Sequence, residues 1–247
     1  MKKVLTIVSI ILCCFLLFAC TEKPVEEAPA LTINAYVTLY NAGTAAMQQT
    51  KVEATDLNND NKINIDEVLV AAHKDLNRES DYASATAAWG LSITKLLGDA
   101  SGNFGYYVND VASKSLDDEV KEGDYLTAYV YVDGTYWSDT YTYFDIRTAN
   151  AVLGTDVVLS VSNIGYVKAL DDNGNPIIDE ETGYEKYVPA PVATVGATIT
   201  VNGEATDVVT DADGVAKISF DKAGTYIVSA TSTTLTLVPP VCVVTVK

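Results

Sequence analysis

Residues 56–67 read DLNNDNKINIDE, and oxygen-bearing side chains recur there at alternate positions. Asp56, Asn58 and Asp60 hold the first, third and fifth places, Asn64 the ninth and Glu67 the twelfth. Lys62, at the seventh, offers its backbone carbonyl. A calcium ion takes about six to eight oxygens, and this spacing wraps one segment around one Ca2+, with Glu67 as the closing bidentate ligand. Ile63 at the eighth place is an apolar anchor. Asn61 stands at the sixth place, where glycine is usual, and asparagine is one of the few residues that tolerate the left-handed turn needed there. The competing reading is a solvated turn in which Asp66 and Glu67 only complement the positive end of a helix.

Other chemistry is sparse. The chain has one histidine, His73, expected near the polar edge of a helix or beside a satisfied partner. No GxSxG, HExxH or phosphate-cradling glycine loop occurs. With 33 acidic residues, a pair of carboxylates signifies nothing by itself. No catalytic residue is assigned, and a non-enzyme is expected. Aromatics are the remaining lead. Tyr106, Tyr107, Tyr129, Tyr131, Trp137, Tyr141 and Tyr143 could form a stacking surface, with Tyr106, Tyr107 and Trp137 as candidate ligand contacts. Tyrosine also suits strands for packing reasons alone, which makes alternate ones core.

The N-terminus reads MKKVLTIVSIILCCFLLFAC. Lys2 and Lys3 precede an apolar run from Val4 to Phe18, shorter than the roughly 20 residues that span a bilayer. This is a signal peptide, residues 1–19, ending in a lipobox-type LFAC. Cys20 then becomes the lipidated first residue, and acyl burial holds the chain to a membrane. A signal cut elsewhere and an uncleaved anchor are the alternatives. Residues 20–30 carry charge and proline and few large apolar groups, so they serve as a flexible tether. Cys13 and Cys14 leave with the signal, so Cys242 has no disulfide partner and reads as a small buried residue. The formal net charge is −17, which argues against nucleic acid and anionic lipid as partners and suits divalent cations.

These features need elements to position them. LTINAYVTLY alternates and TKVEAT follows, so both are strands. Ile65, Val68, Leu69, Ala72 and Leu76 recur at helical spacing straight after the acidic loop. WGLSITKLLGD and GNFGYYVND are strands, and DYLTAYVYVDGTYWSDTYTYFD reads as a hairpin around its DG. Near residue 150 the texture changes to short, evenly spaced strands with turns at Asn202-Gly203, Asp213-Gly214 and Ala223-Gly224. LDDNGNPIIDEETG is a polar excursion between strands. The expected fold is mainly β: an α+β domain over 31–149 and a β-sandwich of immunoglobulin type over 150–247.

The run GNFGYYVNDVASKSLDDEVKEGDYLTAYVYVD carries a YYVN strand and then Leu116, Asp118, Val120, Gly123 and Asp124 as L-x-D-x-V-x-x-GD. Over about residues 32–146 it resembles a bacterial surface domain similar to the C-terminal domain of transcobalamin and intrinsic factor. The acidic loop with its helix resembles half an EF-hand, or one calcium loop of the dockerin kind. The resemblance implies a surface lipoprotein with a calcium-type loop and a following immunoglobulin-like domain. No cobalamin contact transfers, because the helical partner domain that completes that site is missing. The expected role is a non-catalytic, extracytoplasmic lipoprotein for adhesion or protein interaction, anchored in a membrane. A small-ligand (cobalamin-like) or carbohydrate-binding lipoprotein of an uptake system is the alternative, and a plain envelope spacer is the third reading.

Overall fold

The computed structural model describes residues 30–88 and 90–247. The expected signal segment, the expected lipidation site Cys20 and the expected tether up to residue 29 lie outside the described residues, as does Trp89. Among the described residues no helix is long and apolar enough to cross a membrane.

Strands β1 (Thr32–Asn41) and β2 (Thr44–Thr55) form an antiparallel hairpin. Its two turn residues, Ala42 and Gly43, both have positive φ, the mirror-image turn whose twist suits a hairpin. Ala35, Val37 and Leu39 share one face of β1 and are fully buried, as their period-two spacing requires. β1 also pairs in parallel with β7 (Tyr125–Val130). β7 in turn pairs with β5 (Phe104–Val108), and β6 (Val111–Ala112) closes the sheet in the order β2-β1-β7-β5-β6.

Helix α1 (Ile65–Asp75) covers one face of this sheet. Ile65, Val68, Leu69 and Ala72 lie on one stripe and join the core with Val37, Leu39 and Leu126. His73 is on the buried side of α1, not at a polar edge. It is 0 % exposed because both ring nitrogens find backbone partners: Nδ1–H donates to Leu69 O at 2.8 Å and Nε2 accepts from Leu97 N at 3.3 Å. A small hairpin of β3 (Ala83–Ala87) and β4 (Gly90–Lys95) lies alongside. β3 has only small residues and no apolar alternation, so nothing in its sequence marks it; pairing with β4 makes it a strand.

The stretch 124–145 is not a hairpin. β7 has both edges filled, by β1 and β5, so it cannot take β8 (Thr140–Phe144). β8 instead pairs with β10 (Val157–Lys168) and with β16 (Leu237–Val238). β11 (Tyr187–Ala193) extends that sheet to the order β11-β10-β8-β16, and β14 (Val215–Ile218) pairs with the start of β10. A further sheet runs β13 (Glu204–Val209), β12 (Thr198–Val201), β15 (Gly224–Thr231), β17 (Cys242–Val246), β9 (Thr148–Ala151). Leu159 and Val161 meet Ile199, Val228, Ala230 and Val244 in one core, the arrangement of a β-sandwich. Strand pairing runs on both sides of residue 150: β8 precedes it and β9 spans it, yet they bond to β10 and β17.

A third cluster joins strands from both parts, with Tyr40, Tyr129, Tyr141, Val238 and Val241 buried together. The polar excursion at 169–186 folds into two tight turns. Asp171 Oδ1 accepts from Asn173 N and Asn175 N, and Asp179 Oδ1 accepts from Glu181 N and Thr182 N. The excursion extends the β10–β11 pair into an arm whose Tyr166, Leu170, Ile178, Tyr184 and Tyr187 are exposed.

Candidate functional site

The loop between β2 and α1 is built by its own carboxylates. Asp56 is 5 % exposed and collects three backbone donors: Oδ1 accepts from Asn59 N at 2.7 Å and Asp60 N at 3.3 Å, and Oδ2 from Asn61 N at 2.8 Å. Asp60 Oδ1 accepts from Lys62 N, and Asn58 Oδ1 accepts from Asp60 N. Asn61 has φ +63, the left-handed geometry that the sixth place of a calcium loop requires, and Asn59 has φ +60.

Glu67 closes the loop. It is 4 % exposed, with Oε1 accepting from Leu57 N at 2.7 Å and Oε2 from Asn64 N at 3.0 Å. Asn64 Oδ1 accepts from Glu67 N in return, so the two form a reciprocal N-terminal cap on α1. The partner for Ile63 comes from a part of the chain that is not a second acidic loop. Val120 N donates to Ile63 O, Ile65 N donates to Asp118 O, and Asn64 bridges Glu119. The L-x-D-x-V segment thus holds the loop against the first sheet, and Leu116 and Val120 are buried in its core.

The donor set fits a hard cation. Every candidate atom is a carboxylate, amide or peptide oxygen, and among the described residues no basic side chain forms an ion pair with the buried Asp56 or Glu67. A cation would supply the absent countercharge. Among the described residues no three His, Cys, Asp or Glu side chains converge on one point, so a site there depends equally on Asn58 and the Lys62 carbonyl.

The three candidate aromatic contacts are not brought together. Tyr106 packs against the core beneath α1, while its neighbour Tyr107 points to the opposite face of β5. Tyr107 stacks on Tyr141 with ring centroids 3.6 Å apart and planes within 4°. Trp137 sits apart from both rings, with its indole N–H donating to Asn103 Oδ1 at 2.8 Å. Tyr129 and Tyr141 are buried.

A cleft of about 770 Å³ opens between the β5–β6 edge and the β8–β10–β11 sheet, with Tyr107, Tyr141, Asn163, Tyr166, Pro189 and Asp139 on its walls. At its back, Asp110 accepts from the Tyr141 hydroxyl at 2.8 Å and is bonded to the Arg147 guanidinium. Burial, and then the negative charge of Asp110, hold the Tyr141 hydroxyl well above the usual phenol range. Burial, the largest single influence, lowers Arg147, but Asp110 and Tyr141 together outweigh it and lift the guanidinium above its ordinary value. Asp110, Arg147, Asn163 and Tyr166 carry no sequence signal, because they meet only through strands far apart in the chain.

No family model matches the chain, and no curated protein matches it in sequence. Among solved structures it is similar to tandem Ig repeats of Dlar, at 13 % identity and TM-score 0.27, covering 89 % of this chain and 98 % of that one. It is also similar to the N-terminal four Ig domains of Dscam1 isoform 4.44, at 10 % identity and TM-score 0.23, where 89 % of this chain spans 47 % of that one. At those TM-scores the likeness says nothing about activity or ligand.

Proposed function

We propose that this chain is a non-catalytic, membrane-anchored bacterial surface lipoprotein with a structural calcium site and an immunoglobulin-like second module, used for adhesion or protein interaction. The observation that carries the interaction role is the β10–β11 arm. It holds Tyr166, Leu170, Ile178, Tyr184 and Tyr187 exposed, with no core behind them to account for their size. Calcium is supported by Asp56 and Glu67, buried with no ion pair to a basic side chain among the described residues, and by the left-handed Asn61. An ion there would brace the junction of β2, α1 and the 118–120 segment. Its affinity would be that of an extracellular module, with a dissociation constant of roughly 10⁻⁴–10⁻³ M.

The test uses residues Leu31–Lys247, which form one compact unit. Calorimetry with calcium should show one ion bound and a higher melting temperature, and neither in Asp56→Ala or Glu67→Gln. Beads coated with the same unit should attach to cell surfaces, and Tyr184→Ser with Tyr187→Ser should reduce attachment. Attachment no greater than that of albumin-coated beads would remove the adhesion role. A second reading, a small-ligand lipoprotein of an uptake system, draws on the 770 Å³ cleft and its tyrosines.

A further inference from the structure

The loop from Val132 to Asp139 presents two aromatic rings to solvent. Tyr136 is 81 % exposed and Trp137 is 61 % exposed. Burial does not explain them, and the loop is built to hold them still. Asp133 Oδ1 accepts from Thr135 N and Tyr136 N, and its Oδ2 accepts from the Ser138 hydroxyl at 2.6 Å. Asp139 accepts from Val132 N and Asp133 N. Trp137 N donates to Asp133 O, and the indole N–H donates to Asn103 Oδ1. Gly134 leaves room for Asn103, since a Cβ there would lie 2.6 Å from Asn103 Nδ2.

Trp137 itself has φ +53, a left-handed conformation that a bulky side chain rarely adopts. Glycine would fill that backbone position more easily. A strained residue kept in place by its surroundings, with its large side chain turned outward, points to a role for the side chain. Satisfying the indole N–H inside the loop leaves the flat apolar face outward and pre-oriented. Rigid aromatic faces of this kind give contact area at small entropic cost.

The surroundings select the partner. The loop has two acids and no basic residue, which opposes phosphates, sulfates and anionic bilayers. Ser138, whose hydroxyl donates to Asp133, and Asn103, whose amide oxygen accepts the indole N–H, put polar groups beside the aromatic pair, where sugar hydroxyls would find hydrogen-bond partners. A pyranose offers what fits: one apolar C–H face for the ring and hydroxyls at its edge. Asp139, the last residue of the loop, also lines the 770 Å³ cleft.

We infer that Tyr136 and Trp137 form a stacking platform for a neutral oligosaccharide. The inference rests on the ligand-binding reading and gives it a place and a chemical class.

The full chain should be titrated calorimetrically with cellohexaose, chitohexaose and mannohexaose, alongside Trp137→Ala, Trp137→Phe, Trp137→Gly and Tyr166→Ala. At least one sugar should bind, with affinity falling 10-fold or more in Trp137→Ala and Trp137→Gly and less than about 3-fold in Trp137→Phe. Trp137→Gly should melt no lower than wild type, which separates lost binding from lost folding. Binding kept in Trp137→Ala but lost in Tyr166→Ala overturns the platform and leaves the cleft as a ligand site. No binding of any of the three sugars overturns the platform alone, because the ligand-binding reading of the cleft also admits small ligands that are not sugars. Trp137-dependent attachment to phosphatidylcholine vesicles without sugar binding makes the loop a membrane contact and overturns the inference as well.

Discussion

Arg147 and Asp110 form a partly buried ion pair between β9's approach and the β5–β6 turn, with side chains 19 % and 22 % exposed. Three further contacts converge on it. Gln49 Nε2 donates to Arg147 O at 2.9 Å, Tyr141 donates to Asp110, and the guanidinium lies 5.3 Å from the centre of the Tyr125 ring. Arg147 therefore ties β2, β5, β7 and β8 together from one position. Arg147→Met should destabilise by roughly 1–3 kcal/mol, because it strands Asp110 and removes charge-assisted hydrogen bonds. Urea denaturation of Arg147→Met, Asp110→Asn and the double variant checks this. Single losses that simply add would show that the two groups act independently.

Gly105 sits under the ring of Tyr129. A Cβ at 105 would lie 2.3 Å from Tyr129 Cζ. Gly105 does not have a positive φ, so the requirement is space and not backbone freedom. Gly105→Ala should cost about 1–3 kcal/mol through overpacking, read as a lower denaturation midpoint. Combining it with Tyr129→Leu should recover part of that loss.

His73 should make stability depend on pH. Burial first, then the charge of nearby Arg78, opposes its protonation, while the Leu69 carbonyl favours it; the net effect holds it below its ordinary value. The unfolded chain therefore takes up this proton first. The contribution is whole above about pH 6.5 and is lost as the pH falls through and below that value, with a slope of at most about 1.4 kcal/mol per pH unit. His73→Gln, which keeps one donor and one acceptor, should flatten the melting-temperature profile between about pH 6.5 and 5.

The α1 cap is separable from any metal. Asn64→Ala removes the bond from Asn64 Oδ1 to Glu67 N and should cost about 1 kcal/mol in calcium-free buffer, measured by chemical denaturation. No change in calcium-free buffer would mean that the reciprocal cap contributes nothing without an ion.

Cys242 is fully buried on β17, and burial together with the charge of Asp145 pushes its thiol up to about 12. In Leu31–Lys247 it is the only cysteine. Its alkylation by iodoacetamide at pH 8.5 should be at least about 100-fold slower in the folded protein than in urea, followed by mass spectrometry. Comparable rates would mean that β17 opens readily.

The residues whose partners lie within a turn or two were legible in the sequence. The period-two face of β1, the helical stripe of α1 and the turns of the second half depend on local spacing and backbone conformation. A left-handed Asn61 follows from the same local rules. What the tertiary structure alone decided is which strands pair and which surfaces face each other. Tyr125–Phe144 carries every local mark of a hairpin, yet β1 and β5 occupy both edges of β7 and send β8 to another sheet. The Asp110–Arg147–Tyr141 network, the support of Ile63 by Val120 and the outward Trp137 arise from contacts between segments far apart in the chain. Local pattern carries no record of such contacts, because the energy that selects them comes from packing and hydrogen bonds formed only once the sheets have assembled.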